Sequence, residues 1–294
     1  MFKSGFITMI GKTNVGKSTL LNSLLEQKIS ITSDKHNTTK QKILGVCNNH
    51  NYQLVFIDNP GLIYKKKDFL ISKFNFVALK NFEEVDVVLF LVNDKCQQAD
   101  KDFLNFIQKY KKKIILIITK IDLFNKTTSI DKIILSYLKY FQFDAIIPLS
   151  SVKNQNLNIL KENIVSLLDE GKLYFPKNFI TNLSKEDLIL EFVREKIFYY
   201  LAKELPHVCS VFLDNIIYDE TNASVKLDVI ILLPKISQKK ILIGTNGSNL
   251  KKIRIAAQKD IKNFLKKKIS LNLWVKVDSK FNNRKIFFDA QFKK

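Results

Sequence analysis

The chain has 294 residues, and its 46% hydrophobic content is enough to build a core in each of two ordinary domains, which excludes an intrinsically disordered chain. Its formal net charge is +20, carried by 45 lysines and only 3 arginines. Residues 235–294 alone hold 17 basic and 3 acidic residues, a net charge of +14. This concentration of charge favours a polyanionic partner, a nucleic acid, over an evenly solvated surface.

The cysteines and histidines are scattered along the chain. Cys47, Cys96 and Cys209 have no paired spacing, so a disulfide framework and a zinc site both have little support. The N-terminus carries no signal-peptide pattern, and the longest apolar runs, such as Val87–Val92, are far shorter than the roughly 20 residues of a membrane-spanning helix. We therefore expect a cytoplasmic monomer, and any association with the inner membrane should be peripheral, at its cytoplasmic face.

Short apolar runs alternate with amphipathic segments through the first half of the chain. The runs are typical of strands buried on both faces: Phe6–Ile10, Tyr52–Asp58, Val87–Val92, Ile114–Thr119 and Ala145–Ser150. The segments that begin at Lys17, Lys101 and Leu157 have helical spacing, and Gly171 is placed to cap the last one. This alternation predicts an α/β fold with a doubly wound, mostly parallel sheet, whose ligands lie at the carboxyl ends of the strands.

The stretch "GKTNVGKST" after the first strand matches the phosphate-loop pattern G-x-x-x-x-G-K-[ST] between a strand and a helix. Its glycines let backbone N–H groups face phosphate oxygens at a helix N-terminus, where the helix dipole also favours negative charge. Lys17 would reach the outer phosphates, and the Ser18 hydroxyl would bind Mg²⁺. We predict a nucleoside triphosphate site with these phosphate-binding residues: Gly11, Asn14, Val15, Gly16, Lys17, Ser18 and Thr19.

Later strand ends decide between ATP and GTP. "DNPG" (Asp58–Gly61) ends the second predicted strand, and it offers a carboxylate for the Mg²⁺ shell and a glycine N–H for the terminal phosphate. "TKID" (Thr119–Asp122) ends the fourth strand, and "LSS" (Leu149–Ser151) ends the fifth. These stretches resemble the N-K-x-D and S-A loops of the translation-factor-like GTPases.

The resemblance implies a guanine site. Asp122 would accept two hydrogen bonds from guanine that adenine cannot supply, and the Lys120 stem would pack along the base. Thr119 stands in place of the usual asparagine, Ser150 matches the family serine, and Ser151 stands in place of the usual alanine. Because threonine keeps a hydroxyl for tying loops together, we expect weaker anchoring of the loop with guanine selectivity retained.

Six longer stretches follow one another along the chain: "GKTNVGKSTLLNSLL", "ISITSDKHNTTKQKILGV", "FIDNPGL", "VREKIFYYLAKELPH", "ILIGTNGSNLKKI" and "LNLWVKV". In their order and spacing, nearly the whole chain resembles the Era family of bacterial ribosome-assembly GTPases. The resemblance implies a GTPase domain over residues 1–175 and a smaller α+β KH domain, which binds RNA, over residues 176–294. The glycine and proline in "GKLYFPKN" mark the boundary between the two.

The same resemblance assigns two switch segments. The first contains Thr38 and Thr39, and of the two Thr39 is the stronger candidate to join Ser18 and Asp58 on Mg²⁺. The second begins at Asp58 and continues through Asn59, Pro60, Gly61 and Leu62. Leucine cannot orient water as the glutamine of many GTPases does, so intrinsic hydrolysis should be slow.

Asn14 matches a phosphate-loop asparagine with which related GTPases hold a K⁺ ion against the phosphates. A simple turn residue explains Asn14 equally well from the sequence. The first interpretation predicts faster turnover in K⁺ than in Na⁺, and the second predicts equal rates.

"GTNG" (Gly244–Gly247) fits the G-x-x-G loop with which KH domains clamp single-stranded RNA, in an α-β-β-α-α-β order that resembles type II. Thr245 and Asn246 are neutral, whereas family members commonly carry a lysine there, so phosphate attraction would come from neighbouring cations. The predicted RNA-binding residues are Gly244, Thr245, Asn246, Gly247, Lys251, Lys252 and Arg254.

Three structural expectations concern this second half. A long amphipathic helix should run from Glu186 to Glu204. The basic helix after "GTNG" should pack an apolar face on the sheet rather than lie on a membrane surface; that face is Ile253, Ala256, Ala257, Ile261, Phe264 and Leu265. Trp274 should belong to the core rather than form a platform for base stacking.

The hypothesis from the sequence is a slow GTP-hydrolysing switch that binds GTP or GDP with Mg²⁺. By resemblance it binds the 3′ region of small-subunit (16S) ribosomal RNA, in the 30S precursor, and assists 30S assembly and maturation. Two alternatives stay open: an RNA-binding protein with a degenerate, non-hydrolysing pocket, and a GTPase with a membrane or cell-cycle role.

Overall fold

The computed structural model describes residues 1–30, 43–58, 84–124, 127–201, 205–221 and 223–278. The chain divides into two compact units, Met1–Leu183 and Ser184–Lys294.

In the described part of the first unit, six strands form one sheet with the order β2-β3-β1-β4-β5-β6. The strands are β1 (Lys3–Gly11), β2 (Ile43–Asn48), β3 (Tyr52–Asp58), β4 (Val87–Val92), β5 (Lys113–Ile118) and β6 (Ala145–Pro148). The helices are α1 (Lys17–Leu25), α2 (Gln98–Gln108), α3 (Thr127–Leu138) and α4 (Leu157–Leu167). Among the strands that the structure describes here, only β2 runs antiparallel to its neighbour, β3, and the other pairs are parallel.

This sheet confirms the predicted doubly wound, mostly parallel fold. Every residue of β4 is buried, as expected for a strand covered on both faces. The strand order reverses at β1, which lies between β3 and β4, and such a reversal places the ligand crevice at the carboxyl end of that strand. The phosphate loop starts there, at Gly11, the last residue of β1.

Among the described residues of the first unit, the sequence patterns missed two elements and misplaced one cap. Strand β2 and helix α3 were not predicted. Gly171 does not cap α4, because α4 ends at Leu167 and the Gly171 N–H instead donates to the Phe2 carbonyl at 3.1 Å. Residues beyond α4 therefore return to the start of β1 before they leave the first unit.

Residues 174–180 lie along the β2–β3 edge of the sheet. Gln53 is fully buried, and its Oε1 accepts the N–H groups of Tyr174 and Phe175 at 2.8 and 3.0 Å. The Val46 N–H donates to the Ile180 carbonyl at 2.8 Å. These contacts keep the segment within the first unit, so the compact units divide after Leu183, later than the domain boundary predicted near residue 175.

The described part of the second unit is a three-stranded sheet with the order β7-β8-β9 and helices around it. Its elements are α5 (Lys185–Tyr200), α6 (Leu205–Val208), β7 (Ser210–Asp219), β8 (Ser224–Leu233), α7 (Ile236–Ile243), α8 (Ser248–Leu265) and β9 (Lys268–Val277). Strand β7 is antiparallel to β8, and β9 is parallel to β8. This arrangement confirms the predicted α+β KH fold.

Helix α8 packs its predicted apolar face into the core, where Ile253, Ala257 and Ile261 are fully buried. Lys196 ties α5 to this helix, because its Nζ lies 2.9 Å from Glu195 and 2.7 Å from Asp260. Burial alone would lower the pKa of Lys196, but hydrogen bonds to the two carboxylates outweigh burial and raise it. The ammonium therefore remains charged inside the interface between the two helices.

Two expectations for this unit were wrong. Helix α5 ends at Tyr200, four residues before the predicted end at Glu204, and Leu201 already has extended backbone angles. Trp274 is 56% exposed, because residues 271 and 269 of β9 face the helices and residue 274 belongs to the alternate, outer set. No helix in the described ranges is long and apolar enough to cross a membrane.

Candidate nucleotide and RNA sites

The phosphate loop joins the carboxyl end of β1 to the first turn of α1. Gly16 immediately precedes the helix at φ 106°, a backbone angle that residues with a side chain rarely adopt. The Lys17 ammonium donates to the carbonyls of Gly11 and Lys12, each at 2.9 Å. These bonds hold the ammonium inside the curve of the loop, while the backbone N–H groups at the start of α1 remain directed outward from the helix end.

The predicted guanine loop follows β5 and begins at Thr119. Lys120 has φ 57°, and a short 3₁₀ turn over Ile121–Leu123 presents Asp122 on the surface. The Ser150 hydroxyl, which is fully buried, donates to Asp122 Oδ1, and it accepts the N–H of Lys153 at 3.2 Å. The serine from the β6 loop thus orients the carboxylate predicted to read the base.

Thr119 links this loop to the phosphate loop. Its side chain is 2% exposed, and its hydroxyl lies 2.7 Å from the Val15 carbonyl and 3.2 Å from the Val92 carbonyl. The hydroxyl therefore bridges the ends of β4 and β5 to the centre of the phosphate loop. A side-chain hydroxyl connects the two loops at the position where the family asparagine is expected.

Replacing Thr119 by valine should weaken GDP binding about five- to tenfold, because the loss of one buried hydrogen bond removes about 1 kcal/mol. Thr119→Ser keeps the hydroxyl and should bind GDP like the parent. Thr119→Asn should bind GDP equally or more tightly. Isothermal titration with GDP checks all three variants, and a valine variant with parental affinity would show that the bridge has no role in binding.

The structure brings most predicted nucleotide residues to one edge of the sheet. The loop after β6 joins the same cluster, since the Ser23 hydroxyl of α1 donates to the Ser151 carbonyl at 3.1 Å. Asp58 is the last residue of β3. The remaining predicted switch residues lie outside the described residues: Thr38, Thr39, Asn59, Pro60, Gly61 and Leu62.

The GTNG turn lies between α7 and α8 in the second unit. Gly244 has φ 75°, and a Cβ atom there would come within 2.9 Å of the Asn249 side chain. Thr245 and Asn246 at the tip are exposed, and Asn246 has φ 52°, which asparagine tolerates. Asn249 Nδ2 donates to the Ile241 carbonyl at 3.0 Å and so fixes the end of α7 against the start of α8.

The three predicted cations leave the first two turns of α8 in different directions, and they stay predicted RNA contacts. Ile253 faces the core of the second unit, and at 100° per residue Lys252 and Arg254 leave the helix on opposite flanks of it. Lys251 points away from the core, as does the exposed Ile255.

Sequence reasoning missed three contacts at these sites. They are the Lys12–Asp100 ion pair, the Ser23–Ser151 hydrogen bond and the Asn249 contact with the end of α7. The first two join residues far apart in the sequence, and nothing in the local pattern signals such pairs. The third involves the second residue of α8, and an asparagine near a helix N-terminus often bonds to nearby backbone groups.

A phosphate loop at the reversal point of a parallel sheet, a base-reading loop beside it and a KH fold with an exposed G-x-x-G turn define a two-domain GTPase of the RNA-binding class. A profile of the 50S ribosome-binding GTPase family matches residues 6–120, and a KH domain profile matches residues 204–281. GTPase Era of Thermoanaerobacter sp. strain X514 is 36% identical over 276 residues, which cover 93% of this chain and 91% of that protein. The chain belongs to the GTPase Era family.

Two solved structures share the whole fold. One is Era in complex with MgGDPNP and nucleotides 1506–1542 of 16S ribosomal RNA, with a TM-score of 0.85 and 34% identity. The other is a variant of Aquifex aeolicus Era bound to GDP·AlF₄⁻, with a TM-score of 0.84 and 34% identity. Each similarity covers 98% of both chains, so both domains of this GTPase have counterparts in the relatives.

Proposed function

We propose that this GTPase is a nucleotide-controlled switch that binds the 3′ region of 16S ribosomal RNA through residues 244–247 and assists 30S subunit assembly. The observation that carries the proposal is the exposed GTNG turn, which is held in a defined shape in the same chain as the guanine loop. The similarity to Era with both MgGDPNP and 16S nucleotides bound supports it. Such a role belongs in the cytoplasm, and the membrane and cell-cycle alternative predicts no preference for this RNA.

In this proposal Asp122 and Lys120 bind guanine, and Thr119, Ser150 and Ser151 brace them. The phosphate loop and Lys17 hold the phosphates. The residue types suit Mg²⁺, because Ser18, in the first turn of α1, and Asp58, the last residue of β3, are of the oxygen-bearing kinds that bind it, and Thr39 would complete the set from the first switch. When bound, Mg²⁺ neutralises charge that develops on the phosphates during hydrolysis.

The test measures binding of full-length protein to an RNA with nucleotides 1506–1542 of 16S ribosomal RNA, with GDP, with GDPNP and with ATP as a control. We expect several-fold tighter binding with GDPNP than with GDP, no effect of ATP, and weaker binding of a scrambled RNA of equal length. Equal binding of both RNAs would refute the RNA target. Phosphate release from GTP is measured in the same conditions, and GTP binding without any release would favour the non-hydrolysing alternative.

We further propose that Asn14 holds a K⁺ ion against the phosphates. Asn14 lies exposed at the outer turn of the phosphate loop with φ 62°. GTP turnover should be several-fold faster in KCl than in NaCl of equal ionic strength, and Asn14→Ala should abolish the difference. Equal rates in both salts would leave Asn14 with only the turn role that its backbone angle requires.

A further inference from the structure

The second residue of the phosphate loop, Lys12, makes its side-chain contacts outside the loop. Its Nζ lies 3.0 Å from Asp100 Oδ2 and 3.0 Å from Gln97 Oε1, at the start of α2. The Lys12 side chain is 32% exposed, whereas the Asp100 side chain is only 2% exposed. A partly solvated cation on the loop therefore pairs with a buried anion on the neighbouring helix.

Asp100 is a well-anchored partner. The same Oδ2 atom accepts the backbone N–H of Gln97 at 2.9 Å and the hydroxyl of Tyr137, on α3, at 3.1 Å. A buried carboxylate is destabilising unless it is paired and hydrogen-bonded, and here Lys12 provides the positive charge. Hydrogen bonds from the start of α2 and from α3 therefore hold this anchor, the Asp100 carboxylate, in addition to its ion pair with the phosphate loop.

The backbone of Lys12 connects this anchor to the phosphate site. Its carbonyl accepts the Lys17 ammonium at 2.9 Å and the Val15 N–H at 3.4 Å. One residue therefore binds the buried anchor through its side chain and the phosphate-binding lysine through its carbonyl. A displacement of Lys12 would move the carbonyl on which the Lys17 ammonium rests.

We infer that Lys12 is a positioning residue of the GTPase reaction, which holds the phosphate loop and Lys17 in place through Asp100 without touching the nucleotide. Two other roles make different predictions. If Lys12 bound a phosphate directly, freeing it from Asp100 would leave nucleotide binding unchanged or tighter. If the pair only stabilised the fold, its removal would lower the melting temperature and leave nucleotide affinity unchanged.

The decisive variants are Lys12→Met and Asp100→Asn. Positioning predicts that each raises the Kd for GDP roughly tenfold and lowers kcat for GTP, because each breaks the same charged hydrogen bond. The Kd of the double variant for GDP should be no higher than that of the single variant with the higher Kd. Lys12→Arg should retain most of the affinity, since a guanidinium can also donate to Asp100 and Gln97.

Ser136→Ala is the matched structural control. Ser136 lies on α3 beside Tyr137, and its hydroxyl accepts the Cys96 N–H at 2.9 Å close to the same anchor without reaching the phosphate loop. It should lower the melting temperature and leave the Kd for GDP unchanged. Three results would each overturn the inference: parental GDP affinity in Lys12→Met, unchanged or tighter GDP binding in Asp100→Asn, and losses of affinity that add in the double variant. Lys12 is partly solvent-accessible, so Lys12→Met keeps the inference falsifiable even if Asp100→Asn does not fold. Tyr137→Phe, which removes one hydrogen bond from Asp100, then separates the two roles, because positioning predicts weaker GDP binding and direct phosphate binding predicts no loss.

Discussion

Replacing Asp122 by alanine should weaken GTP binding about 100-fold and bring the affinities for GTP and ATP within a few-fold of each other. Guanine presents two adjacent N–H donors that a carboxylate can accept, and adenine presents no such pair on that edge. Two hydrogen bonds to a charged group contribute about 1.5 kcal/mol each, and together they give this factor. Competition binding of GTP, GDP and ATP to the full chain measures the change.

Ser150→Ala is the control for this prediction. It removes the hydroxyl that donates to Asp122 Oδ1 but keeps the carboxylate, so it should weaken GTP binding by less than tenfold and retain the preference for guanine. If Asp122→Ala still bound GTP about 100-fold more tightly than ATP, the base would be read by other groups. The backbone of the loops after β5 and β6 would then be the place to look for them.

The parallel sheet could be predicted because its strands are continuous aliphatic runs, and such runs report burial directly. Strand β2 was missed because Gly45 interrupts its apolar run and the strand ends on a polar residue, Asn48, which weakens the apolar signal of an edge strand. Trp274 was misplaced for a related reason. Its neighbours in β9 alternate between the two faces of the sheet, and residue type alone suggested burial.

The candidate site also has a part that the sequence predicts and a part that it does not. The phosphate and guanine loops could be predicted since each is a short motif at the end of a strand. Contacts between residues far apart in the sequence could not be predicted. Lys12 and Asp100, whose residue numbers differ by 88, are an example. The same holds for the contacts of Gln53 with Tyr174 and Phe175, which lie in the first unit and which no composition shift reveals.

Introducing two carboxylates at the tip of the GTNG turn, Thr245→Asp with Asn246→Asp, should weaken binding of the 16S RNA fragment roughly thirtyfold. Both positions are exposed, and each carboxylate would face an RNA phosphate at a penalty of about 1 kcal/mol near the surface. Thr245→Lys should have the opposite effect. It should tighten binding and steepen the slope of log K against log salt by about 1, because one more phosphate contact releases one more counterion.

GTP turnover without RNA is the internal control for both charge variants, because the turn lies in the second unit and the guanine loop in the first. Basal turnover should stay at the parental rate while RNA affinity moves in opposite directions with the sign of the added charge. RNA affinity that is indifferent to both variants would place the RNA contact elsewhere on the basic segment 235–294. If the affinity for the scrambled RNA changes equally, the turn supplies general phosphate attraction. Selectivity for the 16S sequence would then have to arise from base contacts along α7 and α8.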